Sequence, residues 1–215
     1  SDTAAAVYVI TQEELRRAGI YSIPEALRLV PGMQVAKLSR DRWAISARGF
    51  NGSLNNKLLV LIDGRTVYSP LFAGVVWELQ DTLLEDIDRI EVIRGPGATQ
   101  WGANAVNGVI NIITKNAKDT QGGVATATVG TEINGIVGGR YGAKIGDNSY
   151  FRTYAKYNNY EEHERPGGAQ ADDGWHKRQA GFRSDSKLGD KDSLTVQGDV
   201  YDVNEDALNL LPSIS

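Results

Sequence analysis

From residue 123 onward the polarity of this chain alternates residue by residue, and that two-residue period commits its second half to β-strands. Val137, Gly139, Tyr141, Ala143 and Ile145 form one face, with Arg140 and Lys144 opposite. Phe151, Ala155 and Tyr157 oppose Arg152, Lys156 and Asn158, and Leu194, Val196 and Val200 oppose Thr195, Gln197 and Asp199. Five such tracts are read, at 123–131, 135–145, 149–160, 175–188 and 191–203, separated by Gly, Asp and Asn. Charges confined to one face suit a strand standing between lipid and a wet lumen. They suit equally an antiparallel sheet of a water-soluble domain with one wet face, and the period alone does not separate the two. Tyr160 to Gly174 has no apolar period and is expected to be a long exposed loop.

The first 120 residues have a different texture and predict a compact α/β unit. Thr11 and Glu14 stand at capping-box spacing, so a short helix is expected over Gln12 to Ala18, stopped by Gly19. Ser22 and Glu25 repeat that spacing, Pro24 falls in the tolerated first turn, and Pro31-Gly32 ends a second helix. Strands are expected at Met33–Lys37, Trp43–Arg48, Lys57–Ile62, Thr66–Tyr68, Ile90–Arg94 and Val106–Thr114, with one helical turn over Leu83 to Asp88. Asp63-Gly64 between apolar runs is a hairpin signal. Leu58 to Ile62 and Val109 to Ile113 are almost uninterruptedly apolar, as strands covered on both faces are.

Composition excludes several function classes. With 0 Cys there is neither a disulfide framework nor a thiolate nucleophile. A net charge of -4 leaves no basic surface for a nucleic-acid backbone, so nucleic acid is not expected as a partner. No run reaches the roughly 18 apolar residues of a spanning helix, and Ser1 to Ala6 lacks the basic and apolar regions of a signal peptide. Any membrane contact would therefore be made by strands.

The glycines Gly95, Gly97, Gly102 and Gly108 do not form a phosphate cradle: Gln100 occupies the last glycine of a GxGxxG pattern, and Ala103 the lysine of a Walker loop. They suit tight turns and close backbone approach instead. His163 and His176, flanked by Glu161, Glu162 and Glu164, have no common metal-site spacing, so no metal site is expected. Asp81, Glu85, Asp86, Asp88 and Glu91 read as charge around a short helix, and Gly-x-Ser-x-Gly is absent. No catalytic residue is assigned, and the chain is not expected to be an enzyme or to carry a cofactor.

Four segments, in order, resemble the plug signature of TonB-dependent outer-membrane receptors: Glu14 to Val35 (ELRRAGIYSIPEALRLVPGMQV), Ile45 to Phe50 (ISARGF), Leu59 to Tyr68 (LVLIDGRTVY) and Ile87 to Lys115 (IDRIEVIRGPGATQWGANAVNGVINIITK). The resemblance covers residues 7 to 118. It implies a mixed α/β plug over residues 1–120, followed over 121–215 by the first roughly five antiparallel strands of an incomplete transmembrane β-barrel. Plugged barrels use about 22 strands, so the chain is expected to be part of a longer protein.

The resemblance implies a bacterial outer-membrane receptor, its plug accessible from the periplasm, for TonB-energised uptake of a scarce solute. A ferric siderophore leads, with cobalamin, haem or another solute as alternatives. The implied partners are TonB, through a segment upstream of Ser1, the remainder of the barrel, and outer-membrane lipid. Arg48 and Arg94 match arginines that anchor the plug to barrel carboxylates, where a planar fork suits bidentate pairing. Apical loops of the plug would contact solute through Arg40, Arg42, Asn51, Asn55, Tyr68 and Phe72: arginines for an anionic chelate, asparagines for hydrogen bonds, aromatic rings for stacking. Two other readings stand beside this one: a soluble ligand-binding or signalling module built on a plug, and a hydrolase on a β-rich scaffold. Open strand edges predict self-association of the isolated chain.

Overall fold

The computed structural model of the protein describes residues 6–39, 42–47, 57–71, 73–95, 101–102, 104–130, 133–160, 174–189 and 191–205. The chain divides into two compact units, residues 1–116 and 117–215.

In the first unit, strand β1 (Ala6–Thr11) leads into helices α1 (Gln12–Arg17) and α2 (Ile23–Leu27). A hairpin follows, β2 (Met33–Lys37) and β3 (Trp43–Ala47), then β4 (Leu58–Ile62), β5 (Arg65–Thr66), a small hairpin of β6 (Tyr68–Ser69) and β7 (Gly74–Val75), β8 (Ile87–Arg94) and β9 (Gly108–Thr114). Among the described residues the main sheet has the order β1-β8-β9-β4-β5. All its neighbours are antiparallel except β9 and β4, which run parallel.

The caps explain both helices. Thr11 Oγ1 accepts from the Glu14 amide at 3.3 Å while the Glu14 carboxylate accepts from the Thr11 amide at 2.8 Å, and Gly19 at φ +64° leaves the helix in the left-handed region. Ala18 is the C-cap, so α1 is one residue shorter than expected. At α2 the capping box is half made: Ser22 Oγ accepts from the Glu25 amide at 3.4 Å, but the Glu25 carboxylate turns to Arg28 at 3.0 Å and to the Tyr21 hydroxyl at 3.5 Å. The helix also stops at Leu27, before Pro31, because the amides of Leu29 and Val30 bond three residues back, to Ala26 and Leu27.

Both helices and the β2–β3 hairpin supply side chains to one core with the main sheet. Ile10, Leu15, Ile23, Leu27, Ile45 and Ile90 are almost wholly buried there, with Val60, Val92, Ile110 and Ile112. Strand β8 begins at Ile87, three residues earlier than its sequence suggests. A register shift between Ile87 and Arg89 lets Ile87 and Ile90, three positions apart, both enter the core. The helical turn expected over 83–88 shrinks to a 3-10 turn at Leu84–Asp86. The run read as Thr66–Tyr68 breaks at Val67, whose side chain is buried and whose amide donates to the Val60 carbonyl at 3.1 Å.

The second unit is an antiparallel sheet whose strands follow chain order: β10 (Gly122–Gly130), β11 (Ile133–Ile145), β12 (Ser149–Tyr160), β13 (Trp175–Lys187) and β14 (Ser193–Glu205). Of the loop expected over Tyr160 to Gly174, residues 161–173 lie outside the described residues, and Tyr160 is the last residue of β12. The alternation is resolved in an unusual sense. Arg152, Tyr154, Lys156 and Asn158 of β12 are buried, while Thr153 and Ala155 between them are exposed. On β13, Lys177 and Gln179 are buried and Ala180 and Phe182 exposed. Lys177 is 0% exposed, whereas Phe182 and Val200 are 50% and 72% exposed. A water-soluble sheet covers its apolar face; here β12 and β13 bury their polar side chains and leave their apolar ones open, the arrangement of a barrel strand in lipid.

Candidate functional site

Parts of the first and last of the four sequence segments meet at one end of the first unit's sheet. The Arg94 guanidinium, at the end of β8, donates to the carbonyl of Pro31, 63 residues earlier in the chain. Gly32 has φ +80°, and a Cβ there would lie 3.1 Å from the Arg94 guanidinium, so glycine serves both the turn and the arginine's berth. The Nε of Arg94 is buried and has no hydrogen-bond partner among the described residues. Beside it the Gly95 amide donates to the Asn107 carbonyl at 3.1 Å, and the Asn107 amide donates to the Lys57 carbonyl at 2.9 Å. These two bonds close the base of the 95–107 connection and tie it to the start of β4. Gly108 completes the junction: a Cβ there would meet the Ile93 carbonyl oxygen at 2.5 Å.

The opposite end is held by a group that the sequence reading used only as a turn former. Asp63 (φ 49°) and Gly64 (φ 78°) make the hairpin between β4 and β5, both left-handed as a type I′ turn requires. The Asp63 carboxylate then reaches β9, accepting from the Thr114 amide and the Thr114 hydroxyl, each at 2.8 Å. One side chain thereby forms the turn and fastens it to the strand paired with β4.

On the sheet face away from the main core, Arg89 pairs with Asp88 at 2.6 Å and Glu91 at 2.7 Å, and Glu91 accepts from Asn111 at 3.1 Å. The Arg89 hydrogen bond holds the Glu91 carboxyl below its ordinary value against the opposing effect of burial. The acidic residues there are engaged in pairing, and among the described residues no group of three metal-ligating side chains is found. His176 meets Asn204 at 3.2 Å, and His163 lies outside the described residues.

Of the expected ligand contacts, Arg40, Asn51, Asn55 and Phe72 lie outside the described residues, as does the expected anchor Arg48. Arg42 is exposed at the mouth of the β2–β3 hairpin, where its carbonyl accepts from the Leu38 amide at 2.8 Å and its amide donates to Ser39 Oγ at 3.3 Å. Tyr68 is half-buried opposite Val75 in the β6–β7 hairpin. The two residues stand on separate hairpins. Trp43, cross-strand from Lys37, is buried with the Arg28 guanidinium 5.2 Å and the Lys37 ammonium 5.7 Å from its ring centre, which stiffens the hairpin bearing Arg42.

In the second unit the covered polar face is a connected network. Gln179 donates to the Tyr154 hydroxyl at 2.7 Å and Tyr154 donates to Asp199 at 2.5 Å, crossing three strands. Gly181 makes this possible, since any side chain there would collide with the Asp199 carboxylate and the Tyr154 ring. The 3-10 turn at Ala117–Thr120 is pinned to the same face: the Ala117 amide donates to Asp185 at 2.7 Å, and Arg140 donates to the Thr120 carbonyl. Asp185 also accepts from Arg183 at 2.8 Å and from the Thr195 hydroxyl at 2.7 Å. Nothing in the sequence period singled out Asp185 or Arg140 from the other polar residues of that face.

Comparison with known proteins places these features. The sequence profile of the TonB-dependent Receptor Plug Domain matches residues 1–109. A vitamin B12 transporter of Photobacterium profundum is 30% identical over 207 residues, 94% of this chain and 33% of that protein. An iron-regulated outer membrane virulence protein of Vibrio cholerae serotype O1 is 39% identical over 132 residues, 58% of this chain and 20% of that protein. The crystal structure of the siderophore receptor PirA from Acinetobacter baumannii shares the fold, with a TM-score of 0.71 and 24% identity over 93% of this chain and 32% of that one. The chain thus spans between a fifth and a third of the length of these proteins.

Proposed function

The chain belongs to the TonB-dependent receptor family through its plug domain, and we propose that the full-length protein takes up a scarce solute across the bacterial outer membrane, most simply a ferric siderophore. The observation that carries this reading is the inverted pair of strands β12 and β13, whose polar side chains are buried while their apolar ones stand open. That arrangement is stable where the open face meets lipid. In this reading residues 1–120 form the plug, and 121–215 supply the first strands of a barrel completed by further strands. The plug closes the lumen, presents apical loops to the solute, and rearranges when TonB pulls from the periplasm. It needs no covalent chemistry.

Arg40, Arg42, Asn51, Asn55, Tyr68 and Phe72 are assigned to solute contact, and Arg48 and Arg94 to anchoring the plug. A half-buried arginine with one nitrogen already on the Pro31 carbonyl and a buried Nε unused among the described residues supports an anchoring role for Arg94. Such a donor is costly to leave unpaired.

Cobalamin is the second reading, favoured by the 30% identity that a vitamin B12 transporter keeps over 94% of this chain. Titration of the full-length protein in detergent with a ferric catecholate siderophore and with cyanocobalamin separates the two. Micromolar or tighter binding of the siderophore alone supports the first reading, and binding of cyanocobalamin alone replaces it. Loss of binding on joint alanine substitution of Arg40, Tyr68 and Phe72 is expected, and full retention removes those residues from the site.

A further inference from the structure

The open apolar face of the second unit carries a shallow groove of about 670 Å³. Two neighbouring outward rows bound it. Val137, Tyr157, Arg178 and Asp202 are paired strand to strand in one row, and Gly139, Ala155, Ala180 and Val200 in the next. Lys156 and Gln179, in the row between, are buried on the opposite face, so little but backbone lies beneath the groove there. The groove exists because Gly139, Ala155 and Ala180 are short while Tyr157 and Val137 beside them are not. A cavity of this breadth with an apolar floor accommodates a hydrocarbon chain, and lipid is the medium that the proposed function places against it.

Its rim is charged. Arg178 is exposed, and no ion pair joins it to its cross-strand neighbour Asp202 or to any other described residue. Arg178 lies three residues from Trp175, at the end of β13 next to the 161–174 segment; that end carries the connections 131–132 and 161–174, the longest of the four, while the other end carries only the short 146–148 and 188–192. Barrels of this class carry long loops outside and short turns in the periplasm, so the Arg178 row stands at the outer interface, the level of lipid headgroups. A guanidinium with no ion pair among the described residues, above an apolar groove at that level, complements a phosphate joined to an acyl chain.

We propose that this groove binds a lipid of the outer leaflet whose phosphate leaves the headgroup with net negative charge, with one acyl chain over Gly139, Ala155 and Ala180 and the phosphate on Arg178. The proposal rests on the membrane-barrel reading of the second unit. It is tested on the full-length protein in mild detergent by native mass spectrometry, with phosphatidylglycerol and phosphatidylcholine of identical chains as probes. The wild type is expected to retain the anionic lipid about fivefold better, the scale of one basic side chain at a charged lipid surface. Arg178→Gln should abolish that preference and Arg178→Lys keep it, while Ala155→Leu and Ala180→Phe, which fill the groove, should lower retention of both lipids. Equal retention of the two lipids by the wild type, a preference surviving Arg178→Gln, or displacement of bound lipid by inorganic phosphate alone overturns the groove site. A full-length protein that stays monomeric without detergent and binds neither lipid overturns the barrel reading itself.

Discussion

Replacing Asp63 with alanine should loosen the plug sheet at one defined end. The Asp63 carboxylate is the acceptor for the amide and hydroxyl of Thr114, both at 2.8 Å. Thr114 is 8% exposed, so its amide has little access to replacement water. An amide left without its acceptor costs about 1–3 kcal/mol. Alanine at φ 49° adds about 1 kcal/mol, because aspartate tolerates the left-handed region better. The total is about 3 kcal/mol, equivalent to roughly a hundredfold rise in local opening. Hydrogen exchange of the full-length protein reads this directly in the peptide covering Gly108–Thr114. Asp63→Asn keeps the turn and one acceptor, so it should lose only about 1 kcal/mol. Thr114→Val removes the hydroxyl alone, and combined with Asp63→Asn it should cost less than the sum of the two changes, since they share one contact. Exchange of β9 within threefold of wild type in Asp63→Ala would refute the clip.

Three further outcomes follow from the same geometry. Gly108→Ala places a Cβ 2.5 Å from the Ile93 carbonyl oxygen, where backbone must move, and should destabilise the plug by about 1–3 kcal/mol; denaturant midpoints of the full-length protein measure it. Arg94→Ala should increase protease cleavage in the plug, and unchanged cleavage kinetics would count against anchoring. The Glu14 carboxyl is held below its ordinary value mainly by the Thr11 amide, then by the Thr11 hydroxyl. Because the folded-state value is the lower one, its stabilisation of α1 is complete above the unfolded glutamate pKa and fades as pH falls through the depressed value. Exchange protection of residues 12–18, corrected for intrinsic rates, should therefore drop in the wild type as pH falls below the ordinary glutamate range; in Glu14→Gln the drop should be smaller, with only the Glu13–Arg17 pair of the same helix left to titrate.

Local chemistry was legible wherever the determinant lay within a few residues. Thr11 and Glu14 specify a cap, Asp63-Gly64 a turn, and strict alternation places β12 at Ser149–Tyr160, as its tract indicated. The departures arose where a distant partner competed: Glu25 leaves its capping box for Arg28, and the bulge at Ile87 extends β8 because the core accepts one more isoleucine.

Alternation by itself determined that the second half would have two chemically distinct faces, one charged and one apolar. It is symmetric under exchange of inside and outside, so it carries no record of which face is covered. Only the tertiary structure decided that, by burying Lys177, Arg152 and Gln179 and leaving Phe182 and Val200 open. The same holds for Arg94 on Pro31 and Asp63 on Thr114: their partners stand 63 and 51 residues away along the chain, a separation that no local period encodes.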